Sequence, residues 1–318
     1  MDSLIYEKRL IDYKIRKQVL SFPSGFQIQT INCCNGNCLM CPNSKITKDN
    51  VEVMSKTLFL KIIKEIVEEN ISHTHIHFYL QNEPFMDYDI LNKILLTKEL
   101  SKNKIRIELV TNGTFLNDNI IKELRDIDID IFVISLDAYT NKTYDKIRSG
   151  LDFSSVLKNI DNLIKDDYNG NIYVGFVKQK DNISELQEFK KYWKSVGRKF
   201  KKNIYPFISV LTNRSGDLYD FNSLAIKNNN VKSKRINYRF THKITPCYVP
   251  FLYFNILSNG DVILCCNDYN KKIILGNVAS SSIKEIWNSS QYNKIRQLLS
   301  NQKFHSVTVC KNCSHFSN

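Results

Sequence analysis

Four of the chain's nine cysteines fall within nine positions, in the stretch INCCNGNCLMCPNS at residues 31–44, and the next residue after the last of them is a proline. Three of the four are spaced C-x3-C-x2-C, as Cys34, Cys38 and Cys41, with Cys33 beside them. The other five, Cys247, Cys265, Cys266, Cys310 and Cys313, lie in the last quarter, and the roughly two hundred residues between hold none. The N-terminal stretch MDSLIYEKRLIDYKIRKQVLSF is broken by charges too often for a secretion signal. No charge-free run of about 18 apolar residues occurs. A cytoplasmic protein with no membrane partner is therefore expected, and in that reducing compartment cysteines point to metal binding or catalysis rather than disulfides.

The 318 residues, 42% of them hydrophobic, suffice for one large domain and a smaller appendage. Between residues 26 and 211 short apolar runs alternate with helical stretches, the pattern of an α/β chain with a parallel sheet. The strands predicted are FQIQTI (26–31), HIHFYL (75–80), RIELVTN (106–112), IFVISLD (131–137), NIYVGFV (171–177) and NIYPFISVL (203–211). Between them, TLFLKIIKEIVEEN has apolar residues at helical spacing, and ISELQEFKKYWKSVG ends in the glycine expected just past a helix. Residues 222–246 are polar, Asn-rich and basic, which reads as a linker or lid. FLYFNILSNGDVILCC, at 251–266, carries a hairpin signal in its Asn-Gly pair. A helix in SSIKEIWNSSQYNKIRQLL then leads to the final C-x2-C.

C-x3-C-x2-C just after a strand resembles the signature of the radical S-adenosylmethionine (radical SAM) superfamily. LQNEPF (80–85) resembles that family's Gly-Gly-Glu-Pro stretch, with Glu83 and Pro84 matching and Gln81 and Asn82 in place of the glycines. ISLDAYTNKTYDKIRSG (134–150) is similar to its Ser-x-Asp-Ala segment followed by Tyr-x-x-Ile-Arg-x-Gly. The resemblance implies a partial (β/α)6 TIM-type barrel with its ligands at the C-terminal ends of the strands. It also implies that Cys34, Cys38 and Cys41 hold three irons of a 4Fe-4S cluster whose fourth iron takes S-adenosylmethionine (SAM). Gln81, Asn82, Glu83, Ser135 and Arg148 would contact SAM, with Met40 near its adenine. Strand-end polarity and core packing are the plainer accounts of Ser135 and Met40.

The C-terminal cysteines resemble the auxiliary-cluster domains called SPASM or twitch, as do the stretches NGDVILCC, LGNV and IKEIW. That resemblance implies a second 4Fe-4S cluster on Cys247, Cys265, Cys310 and Cys313; a zinc ribbon is the alternative. The expected organisation is an N-terminal helical extension (1–25), a radical SAM core (26–221), a basic linker (222–246) and an auxiliary-cluster domain (247–318). Neighbours in a strand face opposite ways, so Cys266 should turn away from Cys265 and Cys33 from Cys34. Cys266 is then a candidate hydrogen-atom donor of the kind that radical epimerases use. His73, His75 and His77 alternate, which places them on one face with Tyr79, Gln81 and Glu83, pointing into the barrel; Ile76, Phe78 and Leu80 should meet the helices. Three histidines on one strand stand about 7 Å apart, too far to share one metal ion without bending.

The activity this implies is reductive cleavage of SAM, with flavodoxin or ferredoxin as electron donor, and removal of hydrogen from a substrate by the resulting 5'-deoxyadenosyl radical. A polar small molecule such as a sugar, aminocyclitol or nucleotide-linked sugar is the expected substrate, ending in dehydrogenation or epimerisation; a ribosomal peptide is the other candidate. The formal charge of +13 also suits a zinc-stapled nucleic-acid-binding protein, but the basic residues are scattered, and a nucleic-acid partner is not expected.

Overall fold

The structure is a computed structural model that describes residues 20–46, 50–226 and 247–314. Residues 1–19 of the expected N-terminal extension and 227–246 of the expected linker lie outside the described residues. Among the described residues no helix is long and apolar enough to cross a membrane.

The βα alternation becomes one sheet whose six N-terminal strands are parallel and stand in sequence order, the core of the partial barrel. They are β1 (Gly25–Ile28), β2 (His75–His77), β3 (Arg106–Thr111), β4 (Ile131–Ser135), β5 (Ile172–Lys178) and β6 (Ile204–Val210). The helices between them are α1 (Lys56–Glu68), α2 (Ile90–Leu100), α3 (Asp118–Leu124), α4 (Asn141–Ile147), α5 (Phe153–Lys165) and α6 (Leu186–Phe200). Ser55 caps α1 by accepting from the Leu58 N–H, and the face Phe59, Ile62, Ile63 and Ile66 is buried. Phe59 packs on Phe78 with ring centroids 6.1 Å apart. Burying a side chain of that size contributes about 1.5–3 kcal/mol.

Gly197 does not end α6. The helix runs on to Phe200 and closes on Lys201 in the left-handed region, at φ 54°. A Cβ on Gly197 would stand 3.2 Å from the carbonyl oxygens of Lys202 and Ile204, so the glycine lets the following strand approach the helix.

The chain from Cys247 onward extends this same sheet. β7 (Tyr253–Ile256) pairs in parallel with β1, and β8 (Asp261–Ile263) and β9 (Ile274–Asn277) add antiparallel to it. The β7–β8 hairpin turns at Gly260, whose φ of +89° and close approach to Asn277 Oδ1 leave no room for a side chain. The single helix expected afterwards is two, α7 (Ile283–Trp287) and α8 (Ser290–Ser300), because Ser282 and Ser289 each cap a new start. Trp287 is fully buried, donates to the Leu20 carbonyl at 2.7 Å, and lies under the Arg296 guanidinium at 3.9 Å. One buried apolar cluster therefore runs without a break from Phe22 through the barrel to Leu299 and Cys310.

Candidate active site

β1 delivers the chain into the cysteine loop, and the segment after α4 holds that loop open. The Asn37 and Leu39 N–H groups donate to the Ser149 and Ile147 carbonyls at 2.7 and 2.8 Å, and the left-handed Gly150 (φ +83°) turns the segment beside them. Asn112, at the end of β3, donates to Asn35 Oδ1 at 2.7 Å. Pro42 opens a short 3-10 turn, Pro42–Lys45, that stops the loop. The three cysteines sit in different surroundings. Burial pushes the Cys34 thiol up to about 12 and also raises Cys38, which the Arg148 guanidinium draws back down. Cys41 Sγ lies 3.7 Å from the Tyr269 hydroxyl. Buried thiols that are neutral without metal must release protons on binding it. Cys33 is turned away from them, its Sγ 3.7 Å from Met86 Sδ.

Gln81 holds a left-handed backbone, φ 59°, the conformation for which glycine would otherwise be chosen. Its side chain reaches the C-terminal unit: Nε2 donates to the Cys266 carbonyl at 2.9 Å and the Asp268 carbonyl at 3.1 Å, and Oε1 accepts from Lys271. Asn82 Oδ1 accepts from the Leu80 N–H, while its Nδ2 is buried with no acceptor. That is a donor in want of a ligand. The Glu83 carboxylate is buried, accepting from the Thr111 hydroxyl at 2.6 Å, the Asn112 N–H at 2.7 Å and the Phe85 N–H at 3.2 Å. Burial outweighs these bonds and pushes it up to about 7.

The remaining positions divide. Arg148 is buried, with Nε and Nη2 on Asp137 Oδ2 and Nη1 3.8 Å from Cys38 Sγ, so its guanidinium serves the cysteine loop. Met40 is buried in the core. Ser135, at the end of β4, faces a cavity of about 290 Å³ whose polar lining includes Tyr79, Glu108, Asp137, Ser209 and Arg214.

The histidine row is shorter than expected. His73 is exposed in a left-handed turn, φ 62°, outside the strand. His75 and His77 are buried with rings 5.1 Å apart, and His77 Nδ1 lies 3.2 Å from the Tyr79 hydroxyl, which donates to Glu108 at 2.6 Å. Ile76 and Phe78 join the main core, but Leu80 packs with Leu257 and Ile263 of the C-terminal hairpin instead of the helices.

In the C-terminal unit, burial raises the Cys247 thiol, and Cys310, Cys313 and Cys266 stand close enough to add to the shift. Cys247 and Cys266 act likewise on Cys265, and Cys313 on Cys310. All five C-terminal thiols thus gather in one region. Cys265 packs against the main core, whereas Cys266 packs against Leu80, Leu257 and Ile263. Among the described residues no three His, Cys, Asp or Glu groups close on one point as a single ion would need. A tetrahedral zinc-thiolate site sets its sulfurs about 3.8 Å apart. A cubane spreads its thiolates over separate corners, so looser groups of cysteines fit a cluster better than one ion.

The turn after β6 is what the sequence analysis missed. Asn213 accepts from the Ser314 N–H at 2.8 Å, beside the last cysteine pair, and Asp217 accepts from the Tyr269 N–H at 3.0 Å. Between them Arg214, at φ 50°, lines the cavity and has Tyr269, Cys41, Cys266 and Cys265 as electrostatic neighbours. Its place just past the last barrel strand was the available signal.

Residues 28–192 match the radical SAM superfamily, and residues 247–314 match SPASM, an iron-sulfur cluster-binding domain. The chain is 21% identical, over 92% of its length and 94% of the relative's, to the S-adenosyl-L-methionine-dependent 2-deoxy-scyllo-inosamine dehydrogenase of Niallia circulans. It is 25% identical to the tungsten-containing aldehyde ferredoxin oxidoreductase cofactor-modifying protein of Pyrococcus furiosus, covering 87% of this chain and 84% of that one. Among solved structures, BtrN in complex with AdoMet and 2-DOIA superposes with a TM-score of 0.61 at 18% identity, covering 92% of this chain and 94% of BtrN. Streptococcus suis SuiB bound to the precursor peptide SuiA superposes at 0.63 with 16% identity, covering 91% and 70%.

Proposed function

Because this chain belongs to the radical SAM superfamily and carries a SPASM domain, and is therefore an enzyme with two 4Fe-4S clusters and SAM as cofactors, we propose that it dehydrogenates a polar small molecule held in the barrel cavity. Cys34, Cys38 and Cys41 are the proposed ligands of the SAM-binding cluster, and Cys247, Cys265, Cys310 and Cys313 those of the auxiliary one. When bound, the first cluster and SAM supply a 5'-deoxyadenosyl radical that removes a hydrogen atom from the substrate. The chain's own residues bind, orient and exclude water. Asn82 Nδ2 offers a free buried donor to SAM, Ser135 a hydroxyl at the cavity wall, and Glu83 a carboxylate for the SAM ammonium group.

The observation that carries the dehydrogenase reading is the position of Arg214, which lines the cavity and has both Cys41 and Cys265 among its electrostatic neighbours. A substrate against Arg214 would lie near cysteines of both groups. There it would give a hydrogen atom to the 5'-deoxyadenosyl radical, an electron to the auxiliary cluster and a proton to solvent, which together make the loss of two hydrogens. The similarity to a dehydrogenase of an aminocyclitol along nearly the whole chain supports the same reading. A cavity of about 290 Å³ is at the small end for ligand sites, which favours a small molecule over a long peptide segment.

Epimerisation is the second reading, with Cys266 as hydrogen donor. Against it, the Cys266 thiol packs beside Leu80, Leu257 and Ile263. The deciding experiment incubates the reconstituted enzyme with SAM, reduced flavodoxin and a panel of aminocyclitols, sugars and nucleotide sugars. A product lighter by two hydrogens is expected. An unchanged mass with deuterium taken from solvent, abolished in Cys266→Ala, would replace dehydrogenation by epimerisation. Turnover of peptides alone would move the substrate class.

Glu83 gives SAM binding a pH dependence. Its ordinary value near 4.5 is pushed up to about 7. Below that the carboxyl is neutral in the SAM-free enzyme, and an arriving ammonium group must displace a proton. SAM affinity is therefore expected to rise about tenfold from pH 6 to pH 8, measured by anaerobic equilibrium binding. In Glu83→Gln the profile is expected to flatten, and a wild-type profile already flat over that range would remove Glu83 from SAM binding.

A further inference from the structure

We infer that Tyr269, which belongs to the C-terminal unit, donates its hydroxyl proton to Cys41 of the N-terminal cysteine loop and thereby holds up the reduction potential of the SAM-binding cluster. The inference rests on the reading that Cys41 ligates that cluster. The Tyr269 hydroxyl lies 3.7 Å from Cys41 Sγ across 228 residues of sequence, with its ring almost wholly buried. Once Cys41 is a thiolate it can only accept, and the phenol becomes the donor. A hydrogen bond to a ligating sulfur stabilises the reduced, more negative cluster more than the oxidised one and so raises its potential.

The placement of Tyr269 is built from both sides. Asp217, in the turn after β6, accepts from the backbone N–H groups of Tyr269 and Asn270 at 3.0 and 3.2 Å and from Asn270 Nδ2 at 2.8 Å. On the other flank Gln81 holds the Cys266 and Asp268 carbonyls. The loop from Cys266 to Lys272 is thus clamped between the second and last barrel strands, and its one phenol meets a cluster cysteine. Cys265, a proposed ligand of the other cluster, immediately precedes this loop. Loading of the C-terminal site would thereby set how easily the N-terminal site accepts its electron.

The test is an EPR-monitored redox titration of anaerobically reconstituted holoenzyme, with the SAM-binding cluster identified by the change of its signal on adding SAM. In Tyr269→Phe its potential is expected to become more negative, with a roughly fivefold lower reduced-to-oxidised ratio at the wild-type midpoint. Iron content and the auxiliary cluster's potential should stay unchanged. An unshifted potential at full iron, or an equal shift of both clusters, would overturn the inference. If Tyr269→Phe loses iron, 3,5-difluorotyrosine at position 269 keeps the ring and makes a stronger donor. A shift to more positive potential is then expected, and no shift would refute the hydrogen bond. Absence of iron-sulfur clusters from the wild type would instead refute the ligand assignment on which the inference rests.

Discussion

Replacing Cys34, Cys38 and Cys41 together by Ala is expected to lower the iron content of the anaerobically reconstituted protein from about eight to about four atoms per chain, with labile sulfide falling in step. Formation of 5'-deoxyadenosine should cease. The residual four irons are the sharper half of this result. They require the C-terminal cysteines to assemble a cluster without the first, which their separate gathering around Cys247 predicts. The converse variant, with Cys310 and Cys313 changed to Ala, should also lose about half the iron. It should still cleave SAM but no longer release the oxidised product, because the second electron has no acceptor. Zinc in place of iron and sulfide in the wild type would overturn both assignments and bring back a zinc-stapled protein, whose nucleic-acid affinity would fall steeply with salt.

The second large effect concerns stability. Arg148 and Asp137 form a pair with side-chain exposures of 10% and 1%, and Asp137 also accepts from the Val177 N–H at 2.6 Å. Arg148→Met leaves the carboxylate buried without its countercharge, which costs about 3–5 kcal/mol. The pair also stands behind the cysteine loop, since Arg148 Nη1 approaches Cys38 Sγ and the loop bonds to the Ile147 and Ser149 carbonyls on either side. Urea unfolding of the metal-free protein should show the loss. The double variant Arg148→Met with Asp137→Asn should recover most of it, because it removes the charge that was stranded. Equal stability of Arg148→Met and wild type would show that the pair contributes nothing to the metal-free fold.

Features set by local chemistry were legible in the chain. The six parallel strands lie within a few residues of the apolar runs predicted for them, and the Asn-Gly hairpin turns at Gly260, where positive φ was required. The positions that went differently are those where a local rule met a distant neighbour. Gly197 ends no helix because the next strand's carbonyls crowd it. Leu80 leaves the helical face because the C-terminal hairpin offers Leu257 and Ile263.

The spacing of the cysteines, a covalent property of the chain, divided them by itself into an N-terminal and a C-terminal group. Only the tertiary structure decided how the two groups face each other. Pairing β7 beside β1 folds the last quarter of the chain back onto the first cysteine loop, which places Tyr269 at Cys41 and lets the Asn213–Asp217 turn hold both Tyr269 and Ser314 of the C-terminal unit. Such contacts join residues from about fifty to more than two hundred positions apart. No periodicity encodes them, because they depend on sheet order and the packing of a shared core, which exist only once the whole chain has folded.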